Sequence, residues 1–389
     1  MKHIVVLGGG FAGVESIFRL RKLGHKVTLV SDRDYCYIYP ISIWVPVSKI
    51  KFEDVKLPLK DLQKAHKFDL VIDKVSSIMS KENRVYLESG DSIKYDYLII
   101  AFGGSKLHHP GLEHTYSICG HPEMSLKIKE IFDELLEKGH GKIAVGFGGN
   151  PKSPTGVRGG PAFEILFNFI TTLKQKKLYD NFELTFFAPM KEPGARMGGE
   201  GLKMLDRAYK RHEVNERIGT KIKRFEAGRV IFEDDSVLES DLIVFIPAGT
   251  GHPVLQNSDL PLSVDGNVLV DGYCRVNGQQ KNVYAAGDVT RLEGPNWIAK
   301  QGHIAEIMAY YAVYNINNAI IGNPKRKGYQ NHLNIVCVMD TGNGAIFTSR
   351  KWNAEKIFPM PSYGHWIKQA WGVYWKKSKL GKIPRLPGM

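Results

Sequence analysis

A glycine spacing near the start of the chain constrains the fold more than any other feature. Gly8-x-Gly10-x-x-Gly13 follows the apolar run HIVVL and opens the amphipathic stretch VESIFRLRKLG; a second apolar run, HKVTLVS, comes next. A short apolar run, a glycine turn, a helical stretch and another apolar run describe a βαβ unit with parallel, buried strands. In such a unit the first glycine makes a tight turn and the second lets a pyrophosphate approach the backbone. The third lets helix pack on strand, and the helix N-terminus faces the phosphates. The spacing predicts a dinucleotide site at Gly8, Gly10 and Gly13. The second strand of such a unit ends in an acidic residue that binds ribose hydroxyls. Here Ser31 ends the strand and Asp32 follows, and either can accept that bond.

The pattern then repeats. KIAVGFGG, from Lys142, opens a second α/β unit with the helical stretch PAFEILFNFITTLKQK and the strand FELTFFAP. YDYLIIAFGG and DLIVFIPAGTG are strands that end on glycines, and NVYAAGDVT precedes a helix predicted from Lys300 to Ile316. This order predicts an α/β protein of two Rossmann-like dinucleotide-binding domains, the second inserted in the first. Residues 1–107 and 240–322 form one, 108–239 the other, and 323–389 a C-terminal membrane-surface element. The second glycine cluster, Gly146-x-Gly148-Gly149, departs from the first: Asn150–Arg158, with two prolines, separates it from its helix. The tight turn that aims a helix N-terminus at pyrophosphate is lost, which disfavours a nicotinamide cofactor.

The formal net charge of +13 favours anionic partners such as nucleic acid, acidic lipid or acidic small molecules. No paired Cys/His spacing or aromatic RNA-binding motif occurs, so nucleic acid is not an expected partner. The four cysteines lie far apart without a CxxC pair, which argues against a zinc site and a disulfide scaffold. No secretory signal precedes the first strand, and no apolar run is long enough to span a bilayer. Trp366, Ile367, Ala370, Trp371 and Tyr374 recur at helical spacing, with Lys368, Lys376, Lys377 and Lys379 among or just beyond them. This pattern predicts an interfacial helix on an anionic membrane surface. The expected location is the cytoplasmic side of the cell membrane, as a peripheral, monotopic protein.

NVYAAGDVT resembles the second FAD fingerprint of the disulfide-reductase-like flavoproteins, whose Gly-Asp pair is here Gly287-Asp288. Ala101–Gly104, containing Gly103, and Ala248–Gly251 resemble that superfamily's domain-crossover segments. The resemblance implies bound FAD, with Asp288 on the ribityl chain. The broken second motif resembles the sulfide:quinone oxidoreductases, relatives of flavocytochrome c sulfide dehydrogenase and type-II NADH dehydrogenase. Four segments carry this likeness: YSICGHPE around Cys119, RGGPAFE ending in Glu164, IVCVMDTGNGA around Cys337, and IAKQGHIAE with Lys300. It implies that sulfide, or a related sulfur species, reduces the flavin through Cys337 with help from Cys119. A membrane quinone reoxidises it, with Glu164 handling protons and Lys300 near the flavin pyrimidine. His303, one helical turn beyond Lys300, is a weaker candidate. Arg158 stands where the family has its second cysteine. It is expected beside Cys337, where its charge favours thiolate or binds an anionic sulfur substrate. Cys36 and Cys274 have no role in the resemblance and are expected to be structural. The alternatives are an NADH-using quinone reductase, a flavin-binding protein without sulfide turnover, and a soluble flavoprotein reducing a carrier protein. A homo-oligomer remains open.

Overall fold

The computed structural model describes residues 2–278 and 280–385. Five parallel strands form the first sheet, in the order Val283–Ala285, Tyr97–Ile100, His3–Leu7, Lys26–Ser31, Asp69–Ile72. Ile4, Val5, Val6 and Leu7 are fully enclosed, as continuous apolar runs in parallel sheets should be. The strand Val283–Ala285 brings the chain back to this sheet after the inserted domain. Helix Phe11–Lys22 packs along helix Gly302–Ile320. At Gly287 an added Cβ would lie 3.0 Å from that of Ala305 and 3.4 Å from that of Ala12. The second FAD-fingerprint glycine thus sits where these two helices meet.

The second sheet is also parallel, in the order Asn215–Ile218, Phe182–Ala188, Gly141–Phe147, Leu242–Ile246. Leu242–Ile246 corrects one expected boundary. The sequence assigns residues from 240 onward to the first domain, but this strand pairs with Gly141–Phe147, from Ile143–Leu242 to Phe147–Ile246. Its five residues are all buried, so the apolar run alone could not say which sheet it joins. The two crossings between domains run side by side, with Ser105–Lys106 antiparallel to Gly249–Thr250.

The C-terminal part is a three-stranded antiparallel sheet, Ile335–Asp340, Ala345–Lys351 and Ala354–Met360, followed by helix Ser362–Lys379. Residues 386–389 of the expected C-terminal segment lie outside the described residues. The helix predicted to begin at Lys300 begins at Gly302 and runs to Ile320. Among the described residues, no helix is long and apolar enough to cross a membrane.

Candidate functional site

The first glycine motif has the geometry a pyrophosphate needs. Gly8 adopts φ +106°, and an added Cβ would lie 2.4 Å from the backbone of Phe102. At Gly13 it would meet the Gly8 carbonyl oxygen at 1.8 Å, so the helix lies directly on the turn. Gly10, the N-cap of the first helix, faces open space with nothing within 4 Å. That opening beside a helix N-terminus fits a phosphate group. Gly103, at φ +80°, is similarly open. Ser31 is buried and its hydroxyl donates to the Arg33 carbonyl at 2.7 Å. Asp32 is exposed, and among the described residues its one ion pair is with neighbouring Arg33 at 3.7 Å. Of the two ribose candidates, Asp32 is the freer acceptor.

Asp288 follows Gly287, whose Cβ position meets Ala12 of the first helix, and its carboxylate pairs with Arg158. Lys300 donates to the Asp288 carbonyl at 2.8 Å and to Asn267 Oδ1 at 2.9 Å. Burial pushes the Lys300 pKa down to about 7, opposed by Asp265 and reinforced by Arg158 and Arg291. The residues present therefore fit a bound FAD: an open glycine cradle, a carboxylate and a buried ammonium.

Arg158 and Lys300 also line a cavity of about 1910 Å³. It exceeds the roughly 300–1,000 Å³ of a pocket for one small ligand. Cys119, Arg158, Glu164, Lys300, His303 and Cys337 all contribute to its wall, so the sequence candidates for chemistry converge on one space. Trp371, Tyr374 and Trp375 of the C-terminal helix line it too.

Glu164 is buried on helix Gly160–Gln175. Its Oε1 accepts the Asp340 backbone N–H at 2.7 Å and pairs with the Lys368 ammonium. Burial raises the Glu164 pKa above the usual carboxylate range, against the pull of Lys368. Asn168 donates to Asp340 Oδ1 at 2.9 Å, and His365 bonds the other Asp340 oxygen, so a polar network backs Glu164. Cys337 is half-buried at the cavity wall. Burial and the nearby Glu164 charge push its thiol up to about 11, with Lys368 opposing. Cys119 is buried, and its N–H donates to Ser117 Oγ at 3.2 Å.

Several expectations need correction. Arg158 was expected to supply charge beside Cys337; its partner is Asp288, and the charges acting on Cys337 come from Glu164 and Lys368. Lys368 and Lys379, expected on lipid, are 6% and 1% exposed. Lys368 neutralises Glu164. Lys379 bridges Glu15 at 2.5 Å and Glu306 at 2.6 Å. Both point inward because buried carboxylates on other helices require a counter-charge. His303 is tied to Asn334 Oδ1 at 2.7 Å, and burial lowers its pKa. Cys36 and Cys274 are buried away from the cavity wall.

Glu15 and Glu306 escaped the sequence analysis, which gave Lys368 to lipid rather than to Glu164. Glu15 alone left a signal, an acid inside the apolar stretch GVESIF of a helix that must pack on a sheet. Among the described residues, no group of three or more His, Cys, Asp or Glu is placed to hold a metal.

The family model described as pyridine nucleotide-disulphide oxidoreductase matches residues 2–146 and 172–309. The unmatched stretch between holds the interrupted loop and the start of the Glu164 helix. A sulfide-quinone reductase of Aquifex aeolicus is 27% identical over 403 residues, covering 96% of this chain and 91% of that protein. A probable NADH dehydrogenase of Dictyostelium discoideum is 22% identical, covering 83% of this chain and 75% of its own. The solved sulfide:quinone oxidoreductase of Aquifex aeolicus superposes with a TM-score of 0.87 at 25% identity, covering 98% of this chain and 92% of that one. The family match spans both halves of the first domain, including the strand that returns to its sheet and the helices that meet at Gly287. The chain is therefore an FAD-dependent oxidoreductase of the pyridine nucleotide-disulphide oxidoreductase family.

Proposed function

We propose that the protein passes electrons from sulfide, or another reduced sulfur species, to a membrane quinone. One observation carries this reading: Cys119, Cys337, Glu164 and Lys300 share a cavity with the aromatic side of the C-terminal helix. The sulfide-quinone reductase of Aquifex aeolicus supports it, since the likeness covers nearly the whole chain. FAD would be held by Gly8, Gly10, Gly13, Gly103, Gly287, Asp288 and Lys300, with Asp32 or Ser31 toward the ribose. It supplies a carrier that accepts two electrons from the sulfur side and yields them to quinone.

The protein's own groups do the remainder. Cys337 takes up sulfur: its thiol and hydrogen sulfide become a persulfide, releasing two protons and two electrons. At a pKa near 11, only about one thiol in 10⁴ is ionised at neutral pH, so the proton needs an acceptor. Glu164 is the nearby carboxylate, and Lys368 steadies its charged form. Cys119 is the second thiol on the cavity wall. Lys300 brings positive charge to the place where reduction deposits negative charge. The exposed face of the C-terminal helix rests on the membrane and sets the cavity beside the quinone pool.

Anaerobic mixing of the flavin-loaded protein with sulfide, followed by quinone, tests the proposal. Bleaching by sulfide and recolouring by quinone are expected. Bleaching by NADH but not by sulfide would replace it with an NADH:quinone reductase. Bleaching by neither would leave a flavin-binding protein without sulfide turnover.

A further inference from the structure

The strands Ile335–Asp340 and Ala345–Lys351 run antiparallel, with Cys337 directly opposite Thr348. Direct cross-strand neighbours share a face of the sheet, with Cβ atoms about 4.5–5.5 Å apart. Both residues line the cavity. Thr348 is 1% exposed, and its Oγ1 has no hydrogen-bond partner among the described residues. Its neighbour on the third strand is Ile357, which offers no polar atom. A buried hydroxyl without a partner is uncommon in a folded protein, because its lost hydration goes uncompensated. Its direct neighbour on the other strand is Cys337, whose sulfur can acquire charge.

The geometry points to Thr348 as a positioning residue whose hydroxyl donates a hydrogen bond to the Cys337 sulfur when that sulfur is anionic. This rests on the reading of Cys337 as the thiol that takes up sulfur. The charged groups around Cys337 leave this place for a neutral donor. Glu164, on helix Gly160–Gln175, disfavours the thiolate, and Lys368, on helix Ser362–Lys379, is paired to Glu164. Asp340, on the cysteine's own strand, is bound to His365. Arg350, on the neighbouring strand, turns to Glu355 at 3.7 Å. Arg158 is held by Asp288. A hydroxyl stabilises a thiolate, and afterwards a persulfide anion, without competing for the carboxylate that must move the proton.

The test is the rate of iodoacetamide labelling of Cys337 against pH in FAD-loaded protein, resolved by peptide mass spectrometry. Thr348→Val removes the donor and keeps the shape. The labelling midpoint is expected to rise by about one pH unit, the scale of one hydrogen bond to a charged group. A less acidic thiol gives a more nucleophilic thiolate, so well below the midpoint the rate should fall only about threefold. Thr348→Ser keeps a hydroxyl and should hold the parent midpoint. If Thr348→Val does not retain flavin, Thr348→Ala reads the same shift. An unchanged midpoint without the hydroxyl, or a shift in Thr348→Ser as large as in Thr348→Val, overturns the inference. Sulfide-dependent bleaching of Cys337→Ser separates the two levels. If that variant bleaches like the parent while Thr348→Val shifts the midpoint, the sulfide reading fails and the hydroxyl–sulfur contact stands. If it does not bleach while Thr348→Val leaves the midpoint unmoved, this inference alone fails.

Discussion

Glu164 and Lys368 form a buried pair whose members lie 204 residues apart in sequence. Each is 7% exposed at the side chain, so solvent screens their charges little. Removing Lys368 strands a buried carboxylate, which costs about 3–5 kcal/mol when one partner of such a pair is lost. Lys368→Met is therefore expected to lower the denaturation midpoint, and Glu164→Gln/Lys368→Met to recover much of the loss. A double-mutant cycle by chemical denaturation reads the coupling. Non-additivity near zero would mean the two charges act independently. In catalysis, Glu164→Gln is expected to slow sulfide-dependent flavin reduction by roughly 10²–10⁴, the range for a lost acid–base group. Stopped-flow bleaching measures it. Cys337→Ser should abolish the reaction and Cys119→Ser impair it; a Cys337→Ser protein that bleaches normally defeats the thiol mechanism. Cys119, Glu164, Lys300 and Cys337 were singled out by the resemblance of the short segments around them, and the structure brings all four to one cavity. The pairing of Lys368 was not legible: amphipathic spacing tells which helical residues share a side, but not which distant carboxylate one of them meets.

The C-terminal helix has an exposed apolar face and a buried charged one. Tyr363, Trp366, Ile367 and Val373 are 48–70% exposed and lie at helical spacing along one side. Burying one such side chain is worth about 1.5–3 kcal/mol. Trp366→Glu/Ile367→Glu is thus expected to weaken binding to anionic liposomes by about 100-fold while flavin is retained. Equal binding in a flotation assay would show that this face does not meet lipid. The opposite face pins the helix to the first domain. Lys379 bridges Glu15 and Glu306, Arg385 reaches Glu15 at 2.6 Å, and Trp375 donates to Glu306 at 2.9 Å. Burial opposes ionisation of Glu15, but Lys379, Arg19 and Arg385 outweigh it and hold its pKa at about 2. A depressed carboxyl pKa contributes stability above the ordinary value of 4.5, and that contribution is lost as pH falls toward 2. Glu306 has the opposite sign: burial raises it, so its contribution is lost as pH rises through its raised value. The thermal stability of the parent should therefore fall as pH drops from 4.5 toward 2. Glu15→Gln should flatten that part of the profile, and an unflattened profile would remove Glu15 as its source. The helix was legible from its spacing. Its orientation was not, because lysines suit lipid headgroups and buried acids alike.

Across the whole molecule the two dinucleotide-type units differ in the connection between first strand and helix, and the expected electron donor follows from that difference. In the first unit, strand His3–Leu7 gives way to helix Phe11–Lys22 through residues 8–10, and Gly10 opens onto free space. In the second, strand Gly141–Phe147 and helix Gly160–Gln175 are separated by residues 148–159. That helix begins against an aromatic ring: an added Cβ at Gly159 would lie 2.8 Å from Phe147. The intervening loop is fastened from several sides. Asn150 donates to the Gly249 carbonyl at 3.0 Å, Arg196 to Val157 at 3.0 Å, Arg291 to Lys152 at 2.8 Å, and the Lys300 N–H to Thr155 at 3.1 Å. A pyrophosphate approaching this helix N-terminus would have to break contacts to both domains. The broken motif was legible because two prolines in a glycine turn are local. The sheet joined by Leu242–Ile246 was not, because a fully buried apolar strand fits either sheet. NADH and NADPH at micromolar concentration are therefore expected to leave the flavin oxidised over times in which sulfide bleaches it. Anaerobic stopped-flow absorbance with each donor measures this. Rapid stoichiometric bleaching by either nicotinamide would mean that the loop yields, and that the second unit still serves as a nicotinamide site.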